Sequence, residues 1–385
     1  MLEWQEIQER AIAFRHRLHQ TPELTWQEKN TTATIRQQLT ALEIEWQACT
    51  ETGTLGRLAK NKPGPHIALR GDIDALPIHE QSGVDWCSTT EGCMHACGHD
   101  GHTASLMATA MWLKQHEEQL PGPVTLVFQP AEEGGHGAKA MIAEGALKGI
   151  DAIYGWHNWP AVPLGQAICP DGPVMSANSL FTISVAGIGG HASQPEACRD
   201  PVLAGCAINL ALQQVVSRFL PPQTAGVLSV TSFDAKSAQT VIPKQAVLSG
   251  GVRASSSEVR DFINEKLSEI ACHTAKAYGC EASVEHTLCY GATTNHAAQA
   301  ESFRLALQEE FGHAWRCDSV ASPIMASEDF SYFLNEIPGA FALIGTHTDG
   351  KYHHPCHSPH YDFNDALIPH VVRLYSRLVG APVPA

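Results

Sequence analysis

Residues 175–185 read Met175-Ser-Ala-Asn-Ser-Leu-Phe-Thr-Ile-Ser-Val185, and the grammar of the chain changes there. Before this stretch, strands alternate with helices. Trp4, Ile7, Ala11, Phe14 and Leu18 recur at three- and four-residue steps, the spacing of an amphipathic helix that Pro22 ends. A second helix is expected over 27–42, strands at 66–70, 124–128 and 151–154, and a helix from Thr103 onward. Strands separated by helices argue for a mostly parallel sheet. From Leu180 the apolar period falls to two, as in a half-buried strand. Asp200-Pro201 then opens a helix reaching Phe219, with Asp suited to the cap and Pro to the first turn. Strands at 227–233 and 245–252, a helix at 257–278 and a strand at 281–288 follow. The run is β-α-β-β-α-β, the ferredoxin-like unit. After Gly291 the earlier grammar returns, with a helix at 297–311 and a strand at 339–344. The expected fold is therefore α/β. One discontinuous domain, 1–177 and 292–385, holds a mostly parallel central sheet, and a ferredoxin-like domain, 178–291, is inserted into it.

Composition bounds the function. A length of 385 residues favours two domains over one, and 44% hydrophobic against 17% charged residues allows a large core. The net charge of −15 argues against a nucleic acid partner, which needs a basic surface. No stretch reads as a membrane span of about 20 apolar residues. The start, Met1-Leu-Glu-Trp-Gln-Glu, lacks the basic and apolar regions of a signal peptide. Twelve cysteines without framework spacing read as reduced thiols, so a cytoplasmic location is expected.

The chemistry concentrates in His95-Ala-Cys-Gly-His-Asp-Gly-His102 and in Glu132-Glu133. Clustered Cys, His and Glu are what a protein needs to hold a transition metal and use it on water. Cys97 and His99, with one residue between them, can face one ion from a tight loop. His95 and His102 read as supporting or surface histidines, with ligation as the lesser alternative. Glu132 and Glu133 are adjacent and point different ways on an extended segment, which suits one metal ligand and one proton carrier. Two solvated carboxylates are the plainer alternative. His157, between Trp156 and Trp159, is either a ligand or a packing histidine, and His353, His354, His357 and His360 compete for one role. Asp72 with Asp74, Glu132 with Glu133, His157 and the histidine-rich loop each follow a predicted strand. In open α/β sheets sites gather beyond the carboxyl ends of strands.

Five ordered stretches carry a resemblance: 70–77 (RGDIDALP), 95–102 (HACGHDGH), 128–133 (FQPAEE), 187–191 (GIGGH) and 361–365 (YDFND). Together they resemble the amidohydrolase branch of the binuclear metallopeptidases, which includes hippurate hydrolases, N-acyl-amino-acid amidohydrolases and indole-acetyl-amino-acid hydrolases, with carboxypeptidase G more distant. The resemblance makes the discontinuous domain catalytic and the insert a lid and dimerisation domain. It implies two divalent metal ions per subunit, on Cys97, His99, Glu133, His157 and His357. Manganese or zinc is expected, and nickel or cobalt also suits the ligand set. It implies Glu132 as general base and Asp74 as the residue that orients a ligand. It also implies that His191 binds the scissile carbonyl oxygen across a homodimer, and that Arg253 holds the substrate carboxylate. Two lid positions depart from the family pattern. Thr240 stands where Asn is usual, and Gly251 where Thr is usual, which touches substrate preference rather than hydrolysis.

The implied reaction is hydrolysis of an N-acetyl, N-benzoyl or aryl-acetyl amino acid to a carboxylic acid and an amino acid. A metallo-dipeptidase or carboxypeptidase is the alternative. A non-catalytic metal-containing binding protein is opposed by the presence of Glu132.

Overall fold

A computed structural model describes residues 2–385. In chain order the helices and strands begin with α1 (Trp4–Gln20), α2 (Lys29–Ala41), β1 (Glu45–Cys49), β2 (Gly53–Leu58), β3 (Ile67–Asp72), α3 (His99–Gln115), β4 (Val124–Gln129), β5 (Ala152–Pro163) and β6 (Ala167–Ile168). The chain then passes into β7 (Ala177–Ala186), α4 (Pro201–Gln214), β8 (Gly226–Asp234), β9 (Gln245–Ala254), α5 (Ser257–Ala277) and β10 (Glu281–Leu288). It returns through α6 (Ala297–Phe311), β11 (Gly339–His347) and α7 (Leu367–Leu378). Two compact units result, one of Met1–Val174, Thr293–Ser322 and Asp329–Ala385, the other of Met175–Ala292 and Pro323–Glu328. Residues 323–328, expected with the first unit, belong to the second. Ile324 bridges Met175, and Ser176 bonds to the carbonyls of Ile324 and Ala326.

The first unit is built on a seven-stranded sheet in the order β1-β2-β4-β3-β5-β11-β6. Strands β4, β3, β5 and β11 run parallel, while β1, β2 and β6 add antiparallel edges. The sheet is thus mixed rather than mostly parallel. The β1–β2 hairpin escaped the sequence reading because β1 sits at an edge with Glu45 to Ala48 exposed, so it carries no buried apolar alternation. The four parallel strands are the part that positions the site, since their carboxyl ends lie at one rim.

Helix α3 is buried nearly all round, packed on β3, α1 and α7. Asp100 in its first turn is held by a buried polar group. Arg15 of α1 donates to Asp100 at 2.8 Å and to Asp362 at 3.1 Å, and His19 joins Asp100 at 2.8 Å and Glu80 at 3.2 Å. Arg15, His19 and Asp100 are fully buried, so removing one partner strands a desolvated charge, at a cost of about 3–5 kcal/mol.

In the second unit four strands pair antiparallel in the order β8-β9-β7-β10, with α4 and α5 packed to the sheet through Ile208, Leu212, Ile263 and Leu267. Leu180 on β7, Val227 on β8, and Leu203 and Leu210 on α4 stay exposed. One helical stretch, Pro201–Phe219, is long and apolar enough by those two measures to cross a membrane, which the sequence reading passed over. Its Ala204, Ile208, Leu212 and Val215 are nevertheless fully buried in this unit's core. A side chain at Gly251 would meet Leu180 only at 3.7 Å, an ordinary contact, so packing does not demand glycine there.

The α1 anchor predicts a pH dependence. Burial lowers the His19 pKa, but Asp100 and Glu80 outweigh it and raise the group to about 8. Its stabilising contribution is therefore complete below its unfolded value near 6.5 and is lost as pH rises through 8. A rise of that size corresponds to about 2 kcal/mol. Melting temperature should fall between pH 6.5 and 8.5, and His19→Gln should flatten that fall. An unchanged slope in the variant would remove His19 as the cause.

Candidate metal centre

The β3 strand ends in Asp72, and Asp74 follows; both are fully buried. Asp72 accepts from Arg70 at 2.7 Å and pairs with His102 Nδ1 at 2.6 Å. Burial would push its carboxyl up, yet Arg70, His99 and His102 hold it well below the usual range. Asp74 accepts from Thr25 and from the Glu133 amide, each at 2.9 Å, and lies 3.2 Å from His99 Nδ1. Burial raises it as well, but the bond and charge of His99 leave it lowered. One carboxylate therefore sets both the His99 ring and the backbone that carries Glu133.

Cys97 and His99 flank Gly98, whose φ of 90° is open to glycine at little cost. A Cβ there would overlap Asn158 Oδ1 and Tyr361 Oη. This turn starts α3 and aims both side chains at the strand ends. His157 is not beyond a strand, as the sequence reading had it, but within β5, which continues to Pro163. Its Nδ1 donates to Asn158 O at 2.7 Å, leaving Nε2 at 3.3 Å from Cys97 Sγ. His99 likewise donates Nδ1 to Asp74 O at 3.0 Å and keeps Nε2 free of hydrogen bonds. A ligating histidine is commonly oriented in this way, by its other nitrogen.

His357, in a loop after β11, has a φ of 67°, and its amide is tied to Ala96 O at 2.8 Å. Its Nε2 lies 3.2 Å from Glu133 Oε1. The donor atoms of Cys97, His99 and His157 all lie within 4.8 Å of one another, and so do those of Cys97, Glu133 and His357. Tetrahedral coordination with bonds of about 2.0–2.3 Å spaces donors roughly 3.3–3.8 Å apart. All five expected ligands thus come together in two triads that share Cys97. His99, Glu132 and Glu133 form a further overlapping group.

The donor set fits cations. His99 Nε2 and Glu133 Oε1 are buried atoms without a hydrogen bond. Burial keeps His157 well below its usual pKa, so the ring is neutral, the form that can ligate. The Cys356 thiol, then burial, then Glu133 hold Cys97 well above the usual thiol range. Burial lowers His99, but Asp72, Asp74 and Glu133 raise it to about 10. Those two protons stand where positive charge is required, and divalent cations would replace them.

The remaining residues divide. Glu132 is buried and accepts from the Asp329 amide at 3.2 Å. His102 has both nitrogens engaged, by Asp72 and Asn158 at 2.6 and 2.7 Å, although its donors also lie in one group with those of Asp72 and His99. His95 is buried with neither ring nitrogen bonded, and burial holds its pKa near 4. His191 and Arg253 belong to the second unit. His191 is exposed, with Nδ1 taken by Ser193 at 2.7 Å, and Arg253 donates to Ser327 at 2.8 Å.

Sequence reasoning missed Glu28. It is fully buried and accepts from the Trp26 and Ala131 amides at 3.0 and 2.9 Å and from Thr52 at 2.8 Å. It thereby holds Ala131, at φ 55°, in the left-handed turn that delivers Glu132 and Glu133. A lone Glu ahead of a helix carries no signal of such a role.

The profile of peptidase family M20/M25/M40 matches residues 68–381. An N-acetyl-L-cysteine deacetylase of Bacillus subtilis is 37% identical over 351 residues, 91% of this chain and 83% of its own length. A hippurate hydrolase of Campylobacter jejuni is 35% identical over 367 residues, 94% of each chain. Among solved structures, a dinuclear metal-binding peptidase of the M20 family from Bacillus subtilis matches with a TM-score of 0.85 at 33% identity, covering 97% of this chain and 98% of that one.

The turn at Gly98 gives a sharp expectation. Gly98→Ala forces a Cβ against Asn158 and Tyr361 and adds left-handed strain. Bound metal per chain, measured by elemental analysis after dialysis, should fall severalfold. Full retention would show that the turn tolerates a side chain.

Proposed function

This chain belongs to peptidase family M20/M25/M40, and from that premise we propose that it hydrolyses the amide bond of N-acyl amino acids to a carboxylic acid and an amino acid. The observation that carries the reading is the pair of triads sharing Cys97 with Glu132 beside them. The deacetylase and hippurate hydrolase relatives, named for N-acetyl and N-benzoyl substrates, support that class. Cys97, His99, Glu133, His157 and His357 would hold two divalent cations, manganese or zinc first, with nickel or cobalt compatible. When bound, such ions bring a water toward ionisation at neutral pH and polarise a carbonyl.

The chain's own residues do the rest. Glu132, not needed by either triad, takes a proton from the attacking water and returns it to the departing nitrogen, which is otherwise a poor leaving group. Asp74 keeps His99 and Glu133 in place. The second unit, as a ferredoxin-like lid, supplies His191 and Arg253. With His191 Nδ1 occupied by Ser193, Nε2 is left to donate to the developing oxyanion. Arg253 spends one donor on Ser327 and keeps others for a carboxylate. Exposed Leu180, Val227, Leu203 and Leu210 on this unit support a homodimer formed through it. The cysteines are all free, which supports a cytoplasmic location.

The reading is tested with metal-loaded protein on N-acetyl, N-benzoyl and indole-acetyl amino acids beside unblocked dipeptides. Preferential turnover of dipeptides would move it to the dipeptidase class. Glu132→Gln and His191→Ala should each lose about 10²–10³ or more in kcat. Mixed under subunit exchange, they should recover roughly a quarter of wild-type activity, because about half the dimers are mixed with one intact site of two. Demonstrated exchange without recovery would mean that His191 does not act across subunits.

Arg253 has its own check. Arg253→Ala should reduce kcat/KM for N-acyl amino acids at least tenfold more than for the corresponding amino acid amides. Equal losses would take the carboxylate role away from it.

A further inference from the structure

The loop that supplies His357 reads His353-His-Pro-Cys-His-Ser-Pro-His360. Only His357 joins a triad, which leaves three exposed imidazoles and a half-buried thiol without an assigned task. The His353 and His354 ring centroids lie 4.5 Å apart, and those of His354 and His360 lie 5.4 Å apart. His360 Nδ1 donates to Gln81 O at 2.7 Å, which fixes the tautomer and leaves Nε2 with a free lone pair. The backbone beneath is pinned. Gln81 N donates to Pro359 O at 2.7 Å, His357 N to Ala96 O at 2.8 Å, and Ser358 N to Pro355 O at 3.1 Å. Pro355 and Pro359 further restrict the segment. His354 thus has both other rings as neighbours, on a segment whose backbone is tied down from Pro355 to Pro359, and the imidazole donors an ion would take at about 2.0–2.1 Å are grouped there.

Cys356 lies between this cluster and the buried centre. Its Sγ is 4.0 Å from Cys97 O, and Asn158 Nδ2 lies 3.6 Å from it. Imidazoles outside and a thiol inside form a graded set of borderline and soft donors, leading toward the thiol common to both triads. The net charge of −15 draws cations to the whole molecule, and three clustered imidazoles select among them for zinc, nickel or copper over magnesium and calcium.

We propose that His353, His354 and His360 form a third transition-metal site, which captures zinc or nickel and loads the neighbouring two-ion centre. Only the loading step rests on the ligand assignment made above; capture stands on the cluster itself.

The test compares wild type with H353Q/H354Q/H360Q, which keeps His357 and every triad residue. With the two-ion centre filled, calorimetric titration with NiCl2 should show one further equivalent at micromolar affinity in wild type. In the variant it should weaken at least tenfold, with an unchanged melting temperature. A missing third equivalent in wild type, or equal affinity in both proteins, would overturn the site. For loading, metal-stripped protein is exposed to limiting, chelator-buffered zinc, and protein-bound zinc is counted over time after rapid desalting. Wild type should fill severalfold faster than the variant and reach the same final content. Equal rates would overturn the loading role. Failure of both proteins to retain two tight ions would count against the two-ion reading, while the nickel titration would still report on this cluster.

Discussion

Two carboxylates kept ionised away from water organise this protein. Asp72 ends the central parallel strand and Asp74 follows it, where burial alone would raise both pKa values. Arg70 and two histidines hold Asp72, while Thr25, the Glu133 amide and His99 hold Asp74. Because each carboxylate is fully desolvated, its partners are tightly constrained, and an unpaired buried charge is among the costliest defects a fold can contain. That constraint sets the His99 ring, the register of the Glu133 backbone and the start of α3 together.

The rest of the centre follows from where strands stop. Parallel strands deliver their carboxyl ends to one rim, so segments distant in sequence meet there without long excursions. The left-handed turns at Gly98, Ala131 and His357 each redirect the chain just before or at a donor. Buried Glu28 supports the second of these, and the Ala96 carbonyl supports the third. Adjacent Glu132 and Glu133 separate for the same reason. One amide is caught by Asp74, while the other side chain turns to the Asp329 amide, so two identical residue types receive different surroundings.

The two units divide the chemical labour differently from the chain's order. Both Cys97 triads lie in the interrupted unit, while His191 and Arg253 belong to the inserted one. The insert has a self-sufficient core between its sheet and two helices, and it leaves Leu180, Leu203 and Leu210 uncovered.

Much was legible in the sequence because it is written in local patterns. The switch of period at Leu180 marks an inserted β-α-β-β-α-β run, and the residue chemistry of 95–102 and 132–133 marks the centre. Other features carry no local signature. The β1–β2 hairpin lies at an exposed edge, β5 extends through His157 under long-range pairing, and 323–328 is drawn to the second unit by a bridge to Met175. Among four candidate histidines in one loop, composition could not choose, because all four offer the same donor. Backbone geometry brings His357 to Cys97 and Glu133, through a left-handed turn and one bond to Ala96, and leaves the other three rings out of that group. Sequence alone determined which donors the protein owns and roughly which strands bear them. Tertiary structure decided which donors share a point in space, because a distance of a few ångströms between Cys97, Glu133 and His357 depends on contacts that span some 260 residues of chain.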